Sequence, residues 1–253
     1  MSERTSLAPS QEPDLERRLR EAGAEELLAL VQGALATLEP PLVRQVARNP
    51  HCSTEVLDLL AGDERLISFY EVRRALAFHP RTPQVAVLRF VPGLYWRDLM
   101  EVGQDARLHP RVRRTADQHL LLRLPELALG ERSALARRAG PGVLGQLRHD
   151  PHPGVISAMF DNPRLTEDIL GPVVHAAATP GPVLAAIAAD RRWGARIGLR
   201  APLARHPNTP LPVALRLLPL LPKPELRALA RDVRVSEALR QRARVLLGEG
   251  EGG

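Results

Sequence analysis

The sequence predicts an all-α fold, an α-solenoid built from irregular helical-hairpin repeats. Helix-like runs end repeatedly in His-Pro or Asn-Pro. The intervals from Pro50 to Pro80 and from Pro80 to Pro110 are 30 residues each, and a further turn at Gly140-Pro141 follows after 31. A repeat of roughly 20 to 50 residues is typical of arrays in which each unit buries its apolar face against its neighbours. The chain also contains no pattern typical of a strand. The turns that carry the prediction are Asn49-Pro50, His79-Pro80, His109-Pro110, Asn162-Pro163 and His206-Pro207.

Four segments follow from this pattern. Residues 1–12 are polar and predict a disordered tail, and residues 13–40 predict an acidic helix that caps the first end of the array. The apolar spacing places that helix over Pro13 to about Leu38. Residues 41–247 form the predicted repeat array, with a basic C-terminal end, and the glycine-rich residues 248–253 predict a flexible tail.

The turn residues suggest how each repeat is built. A residue before proline is disfavoured in helical conformation, so His79 and its equivalents must end their helices. Their polar side chains can bond the backbone groups that the break leaves free. Thr82 and Thr209 then predict N-caps, with a proline at the first helical position, and Ser53 and Thr166 predict caps of the same kind.

The segments Leu76-Ala77-Phe78-His79-Pro80-Arg81-Thr82-Pro83 and Leu203-Ala204-Arg205-His206-Pro207-Asn208-Thr209-Pro210 resemble the leucine-rich repeat variant family. Val46-Ala47-Arg48-Asn49-Pro50 is similar, and the Val72-Arg73 helix entry with Asp63 before it also resembles HEAT repeats. The resemblance covers about residues 42–247. It implies a right-handed superhelix and a binding scaffold without enzymatic activity. The repeats are longer and less regular than in that family, and a single cysteine rules out the iron–sulfur segment of its founding example.

Charge is distributed unevenly along the chain, whose net charge is +6. Residues 1–40 hold four arginines and eight acidic residues, a net of −4. Residues 191–247 hold 13 basic and three acidic residues, a net of +10. No signal-peptide pattern and no apolar run of about 20 residues occurs, which predicts a cytoplasmic protein that is not in a membrane.

The basic end supplies the first candidate site, a partner-binding face. Its members have helical spacing opposite apolar residues, provided that the helix containing Arg227 continues past Arg231. Such a face would bind an acidic protein or nucleic acid. The alternative is a solvated face on a terminal cap, enlarged by arginine-favouring codons. The face consists of Arg227, Arg231, Arg234, Arg240 and Arg244.

A second candidate is a nucleic-acid site made of Trp96, Asp98, Trp193 and Arg196. It resembles a HEAT-like family of DNA glycosylases, which holds alkylated bases with tryptophans and an aspartate on a concave basic surface. No motif segment of that family aligns with this chain. Tryptophans in helical repeats more often pack between units, which is the alternative interpretation.

Metal and nucleophile sites have weaker support. The eight histidines favour turn positions, and only His149 and His152 form a local cluster, within a turn. Cys52, the single cysteine, follows His51 directly, and adjacent side chains rarely work as nucleophile and base. We therefore expect no cofactor and no metal. The sequence favours a non-enzymatic scaffold that binds a protein partner along a concave surface, with nucleic-acid binding, including base repair, as the alternative.

Overall fold

The chain is helical throughout the part that the structure describes. The structure is a computed structural model that describes residues 12–249. These residues form α-helices, short 3₁₀-helices and turns, with no strand among them, which confirms the all-α prediction. None of the helices in this range is both long and apolar enough to span a membrane. The predicted tails lie almost entirely outside the described residues, and the helices fall into two units, Met1–Arg123 and Leu124–Gly253.

Unit 1 consists of two rows of helices. In one row α1, α3, α6 and α8 pack in succession, and in the other α2, α4, α7 and α9 do so. The short α5 packs against α4 and α6. The helices are α1 (Glu12–Glu21), α2 (Ala24–Ala34), α3 (Pro40–Arg48), α4 (Thr54–Gly62), α5 (Glu64–Ser68), α6 (Tyr70–Phe78), α7 (Gln84–Phe90), α8 (Trp96–Gln104) and α9 (Pro110–Arg123), with 3₁₀-helices at Leu35–Thr37 and Val91–Gly93.

Unit 2 shows the same alternation. Its first row runs α10, α12, α14, α16, α18, and α11, α13 and α15 pack in succession beside it, while α17 pairs with α18. The helices are α10 (Leu129–Ala136), α11 (Pro141–Leu147), α12 (Pro153–Phe160), α13 (Glu167–His175), α14 (Gly181–Ala189), α15 (Ile197–Arg205), α16 (Leu211–Leu217), α17 (Lys223–Arg231) and α18 (Glu237–Leu247), with 3₁₀-helices at Leu124–Glu126 and Leu218–Leu220.

The N-terminal segment forms two helices where the sequence predicts one. The chain leaves α1 at Ala22-Gly23 and starts α2 with Gly23 as an extended N-cap residue. This break lets both helices contribute to one core, since Leu19, Leu27 and Val31 are all fully buried. Burying three leucine- or valine-sized side chains contributes several kcal/mol, which outweighs the cost of interrupting a helix. The apolar spacing therefore indicated residues that are buried, whereas the prediction of one continuous helix from Pro13 to about Leu38 was wrong.

At many of the turns, a polar residue accepts a hydrogen bond from the backbone N–H two residues later. This confirms the predicted role of the asparagine and histidine side chains. Aspartate fills the same position where the sequence has no Asn-Pro or His-Pro. The acceptor–donor pairs, at 2.7–3.1 Å, are Asn49–His51, His79–Arg81, Asp105–Arg107, Asp150–His152, Asn162–Arg164, Asp190–Arg192, His206–Asn208 and Asp232–Arg234.

Three of these turn residues, Asn49, Asn162 and His206, also bind the end of an earlier helix. Asn162 donates to the carbonyl oxygens of Ala136 and Ala139 at 2.8 and 3.0 Å. The ring Nε2 of His206 lies 3.0 Å from the carbonyl oxygen of Ala176, 30 residues earlier. Each such side chain satisfies a carbonyl at the end of a neighbouring helix, so the turn signature connects one helical pair to the next.

Three of the predicted turn roles are wrong. His109 is not equivalent to His79, because α8 already ends at Asp105 and His109 stands at the start of α9. Thr82 does not cap the helix that follows it. Its buried hydroxyl donates backwards to the carbonyl oxygen of Leu76 at 2.7 Å, and Pro83 takes the N-cap position. Thr209 likewise precedes Pro210 as N-cap residue.

The two remaining cap predictions differ in outcome. The Ser53 side chain accepts from the Val56 N–H at 3.3 Å, which confirms its cap. Thr166 occupies the N-cap position of α13 without a side-chain bond. At the other end of the chain, Gly248 ends α18 in the left-handed conformation that favours glycine, with φ +78°. The first residue of the predicted flexible tail is thus a helix cap.

Candidate functional site: two arginine-lined clefts

Unit 1 contains a cleft of about 610 Å³ between α3, α6 and the turns that follow α6 and α8. Its walls combine five arginines with apolar surface from alanine, proline and phenylalanine. Such a mixture suits a ligand that carries both negative charge and apolar groups. The lining includes Arg44, Ala47, Arg48, Pro50, Tyr70, Glu71, Arg74, Ala75, Phe78, His79, Pro80, Arg81 and Arg107.

Three of these arginines have carboxylate partners. Arg44 pairs with Glu71 at 3.4 Å, Arg74 with Asp98 at 2.8 Å, and Arg107 with Asp105 at 2.7 Å. Each pair is partly exposed, so water screens much of the attraction. The pairs hold the guanidinium groups in place more than they stabilise the fold.

The other two arginines have no carboxylate partner within residues 12–249. Arg48 is exposed on α3, and Arg81 donates to the carbonyl oxygens of Pro50 and Cys52 at 3.3 and 3.1 Å. A carbonyl oxygen carries no net charge, so it leaves the positive charge of Arg81 uncompensated. The cleft is therefore a positively charged surface that can accept an anion.

The pKa of His79 reflects the burial and the positive charge of this cleft. Burial lowers the pKa of its imidazole, and the positive charges of Arg81 and Arg107 lower it further. The ring is therefore neutral at physiological pH, which leaves its Nδ1 free to accept the Arg81 N–H at 3.1 Å.

Asp98, one of the predicted nucleic-acid residues, is buried behind this cleft. The Tyr70 hydroxyl donates to it, and Arg74 binds its other oxygen. Burial and the hydrogen bond to Asp98 raise the pKa of Tyr70 to about 12. The Tyr70 hydroxyl also accepts the Tyr95 N–H at 3.0 Å, so the carboxylate joins α6 to α8 and does not face open solvent.

The remaining nucleic-acid candidates are divided between the two units. Trp96 lies beside Asp98 on α8 in unit 1, and the Arg97 guanidinium stacks on its ring. Trp193 and Arg196 belong to unit 2. Trp193 is only 1% exposed, so its ring is not available to stack on a base. Arg196 is exposed at the N-cap of α15.

The predicted basic face in unit 2 is assembled in part. Arg227 and Arg231 on α17, and Arg240 and Arg244 on α18, line one cleft of about 270 Å³. Arg234 does not join them, because α17 ends at Arg231 with Asp232 as its cap. The side chain of Arg234 binds Asp232 and lines a different cleft, next to Arg205. The assumption that the helix continues past Arg231 was wrong.

The sequence does not indicate the unit 1 cleft when charge is summed over long segments. Residues 41–190 have a net charge of only +2, yet five of their arginines line one cleft in which Glu71 is the only acidic lining residue. Two signals were available. Arg44 and Arg48 have i,i+4 spacing, and arginine recurs two residues after the turn acceptor, as in Arg81 and Arg107. The acceptor bond fixes the backbone at that second position and so places each side chain on the turn surface.

The metal and nucleophile candidates have structural roles. Between residues 12 and 249 no three His, Cys, Asp or Glu side chains are close enough to hold a metal ion. His152 accepts the Gly154 N–H and so starts α12. Cys52 is fully buried, and burial raises the pKa of its thiol to about 11, which suppresses its reactivity.

We found no protein-family model, curated protein or solved structure to which the chain is significantly similar. The two clefts are therefore the basis for a functional proposal.

Proposed function

We propose that this chain is a non-enzymatic scaffold of helical repeats, similar to leucine-rich repeat variant and HEAT proteins, that binds an acidic segment of a partner protein. The unit 1 cleft is the binding surface. The observation that carries the proposal is the pair of arginines without carboxylate partners, Arg48 and Arg81, beside the apolar surface of Ala47 and Phe78. Guanidinium groups bind carboxylates through two parallel hydrogen bonds, which gives affinity and orientation together.

A peptide fits this lining better than a nucleic acid does. Single-stranded nucleic acids need open aromatic faces for base stacking. The Phe78 ring is covered by the Arg74 guanidinium, 4.9 Å from its centroid, and Tyr70 is engaged with Asp98. The alternating charge and apolar surface instead matches acidic side chains interleaved with small apolar ones.

The test is fluorescence anisotropy with a labelled peptide of alternating glutamate and alanine, compared with labelled single-stranded and duplex DNA at about 50 and 200 mM salt. The cleft variant is Arg44→Gln/Arg48→Gln. Its matched control is Arg111→Gln/Arg114→Gln, which removes the same charge from exposed positions of α9 outside the cleft. We expect the wild type and the control to bind the peptide and the cleft variant to lose binding.

Two results would refute the proposal. DNA binding that falls steeply with salt and disappears in the cleft variant would favour the nucleic-acid alternative. Equal peptide binding by the cleft variant and the control would show that the cleft is not the binding surface.

A further inference from the structure

The cleft of unit 2 has a charge density that the fold does not require. Four arginines from two adjacent helices line a volume of about 270 Å³, and the only acidic residue in that lining is Glu249. Arg227 and Arg231 are one turn apart on α17, as Arg240 and Arg244 are on α18. Guanidinium groups repel one another at such proximity, so a structure that brings four together gains from an anion between them.

The internal partners compensate only half of this set. Glu237 pairs with Arg240 and lies 3.8 Å from Arg244. Arg227 and Arg231 are exposed, and in the described part of the chain neither has an ion-pair partner. The Nε of Arg240 is buried and has no hydrogen-bond acceptor among the described residues. A buried donor without an acceptor is costly, and here it belongs to a residue that lines the cleft.

We propose that this cleft is a binding site for an oligophosphate group, that is, two or three linked phosphates. Such a group carries several negative charges near neutral pH, so it can bind Arg227 and Arg231, which have no acidic partner, together with Arg240 and Arg244, which share Glu237. Planar guanidinium groups bind phosphate oxygens through two parallel hydrogen bonds. A single phosphate leaves much of the cleft unfilled, whereas the carboxylates of an acidic peptide are spaced too widely to place several charges in so small a volume.

The lining also predicts which part of a ligand does not contribute to binding. Its members are arginines, Ala230, Val233 and Glu249, and no aromatic side chain is among them. A nucleoside attached to the phosphates therefore gains no stacking contact with an aromatic side chain. We expect inorganic tripolyphosphate and a nucleoside triphosphate to bind with similar affinity, and monophosphate to bind much more weakly.

The test is isothermal titration calorimetry on the full chain at about 50 mM salt, with tripolyphosphate, ATP without magnesium, and monophosphate as probes. The site variant is Arg227→Gln/Arg231→Gln, since both side chains are exposed and neither holds a helix in place. The control is Arg216→Gln/Arg242→Gln, two exposed arginines of the same unit outside the cleft. We expect at least about a tenfold loss of tripolyphosphate affinity in the site variant and less than about twofold in the control.

A charge-preserving variant separates a shaped site from general attraction. Arg227→Lys/Arg231→Lys keeps the charge but loses the paired hydrogen bonds, so we expect an intermediate loss of affinity. Unchanged circular dichroism verifies that the variants are folded. No heat from the wild type at millimolar tripolyphosphate, equal losses in site and control variants, or loss caused by Arg44→Gln/Arg48→Gln in unit 1 would each overturn the inference.

Discussion

The side-chain amide of Asn49 lies 3.0 Å from the carbonyl oxygen of Ala22, a residue 27 positions earlier in the chain. It also donates to Leu19 at 3.0 Å and accepts the His51 N–H at 2.7 Å. One side chain therefore ends α3, fixes the turn after it and binds the end of α1. Because Asn49 is only 4% exposed, water cannot replace these bonds.

We expect Asn49→Ala and Asn162→Ala each to lower the free energy of unfolding by about 2–4 kcal/mol, since each leaves buried carbonyl oxygens without a donor. Urea denaturation of the purified variants measures the loss. The matched control is Asn208→Ala, whose amide also donates to two carbonyl oxygens, at 2.9 and 3.0 Å, but is exposed to solvent. It should cost less than about 1 kcal/mol, because water takes over its bonds. Equal costs at buried and exposed positions would contradict this interpretation.

Thr82 and Thr209 offer a second matched pair. Both are 7% exposed and occupy the same place in the repeated phrase, but the Thr82 hydroxyl donates to Leu76 whereas the Thr209 hydroxyl has no partner in the described structure. Replacing threonine by valine keeps the shape and removes the hydroxyl. Thr82→Val should destabilise the protein by about 1 kcal/mol, while Thr209→Val should be neutral or stabilising, because it removes an unsatisfied buried group. Urea denaturation midpoints measure the two changes in stability. A larger loss of stability in Thr209→Val than in Thr82→Val would contradict these hydrogen-bond assignments.

The sequence predicted the turns well because their signal is local. A residue before proline is disfavoured in helical conformation, so Asn49, His79 and His206 were expected to end their helices. Asp105 and Asp190 make the same bond without a following proline, and that local rule does not detect them. The pattern Thr-Pro fits two positions equally well. The threonine can be the N-cap of the next helix, or it can end the previous turn, as Thr82 does.

The arginine clefts cannot be predicted from local sequence patterns, because they depend on which helices are neighbours in the fold. Arg48 and Arg107 meet in one cleft only because α3, α6 and the turn after α8 are neighbours. Summed charge places the positive field in residues 191–247, yet it does not show that Arg234 is tied to Asp232 while Arg227 and Arg231 stay free of acidic partners. The path of the chain between helices decides which charges share a surface.

His79 should make the stability of the protein depend on pH. Its pKa is lowered in the folded state, so the unfolded chain binds a proton more readily, and protonation favours unfolding. The contribution is constant above about pH 7.5 and is lost as the pH falls through roughly 6.5 toward the folded-state pKa. His79→Asn places at this turn the residue that already serves at Asn49 and Asn162 and keeps an acceptor for the Arg81 N–H. Urea midpoints between pH 8 and pH 5 should therefore fall more steeply for the wild type than for this variant. Parallel curves would contradict the assignment.

The same histidine should report binding in the unit 1 cleft. Arg81 and Arg107 lower the pKa of His79 through their positive charges, so an acidic peptide bound between them opposes that effect. We expect the pKa of His79, followed by NMR of its ring proton, to rise when the glutamate–alanine peptide is added in excess. Tripolyphosphate, proposed for the other unit, should leave it unchanged at concentrations that saturate the unit 2 cleft. A peptide that binds without moving the pKa of His79 occupies a surface away from Arg81, which would separate the acidic-peptide function from this cleft.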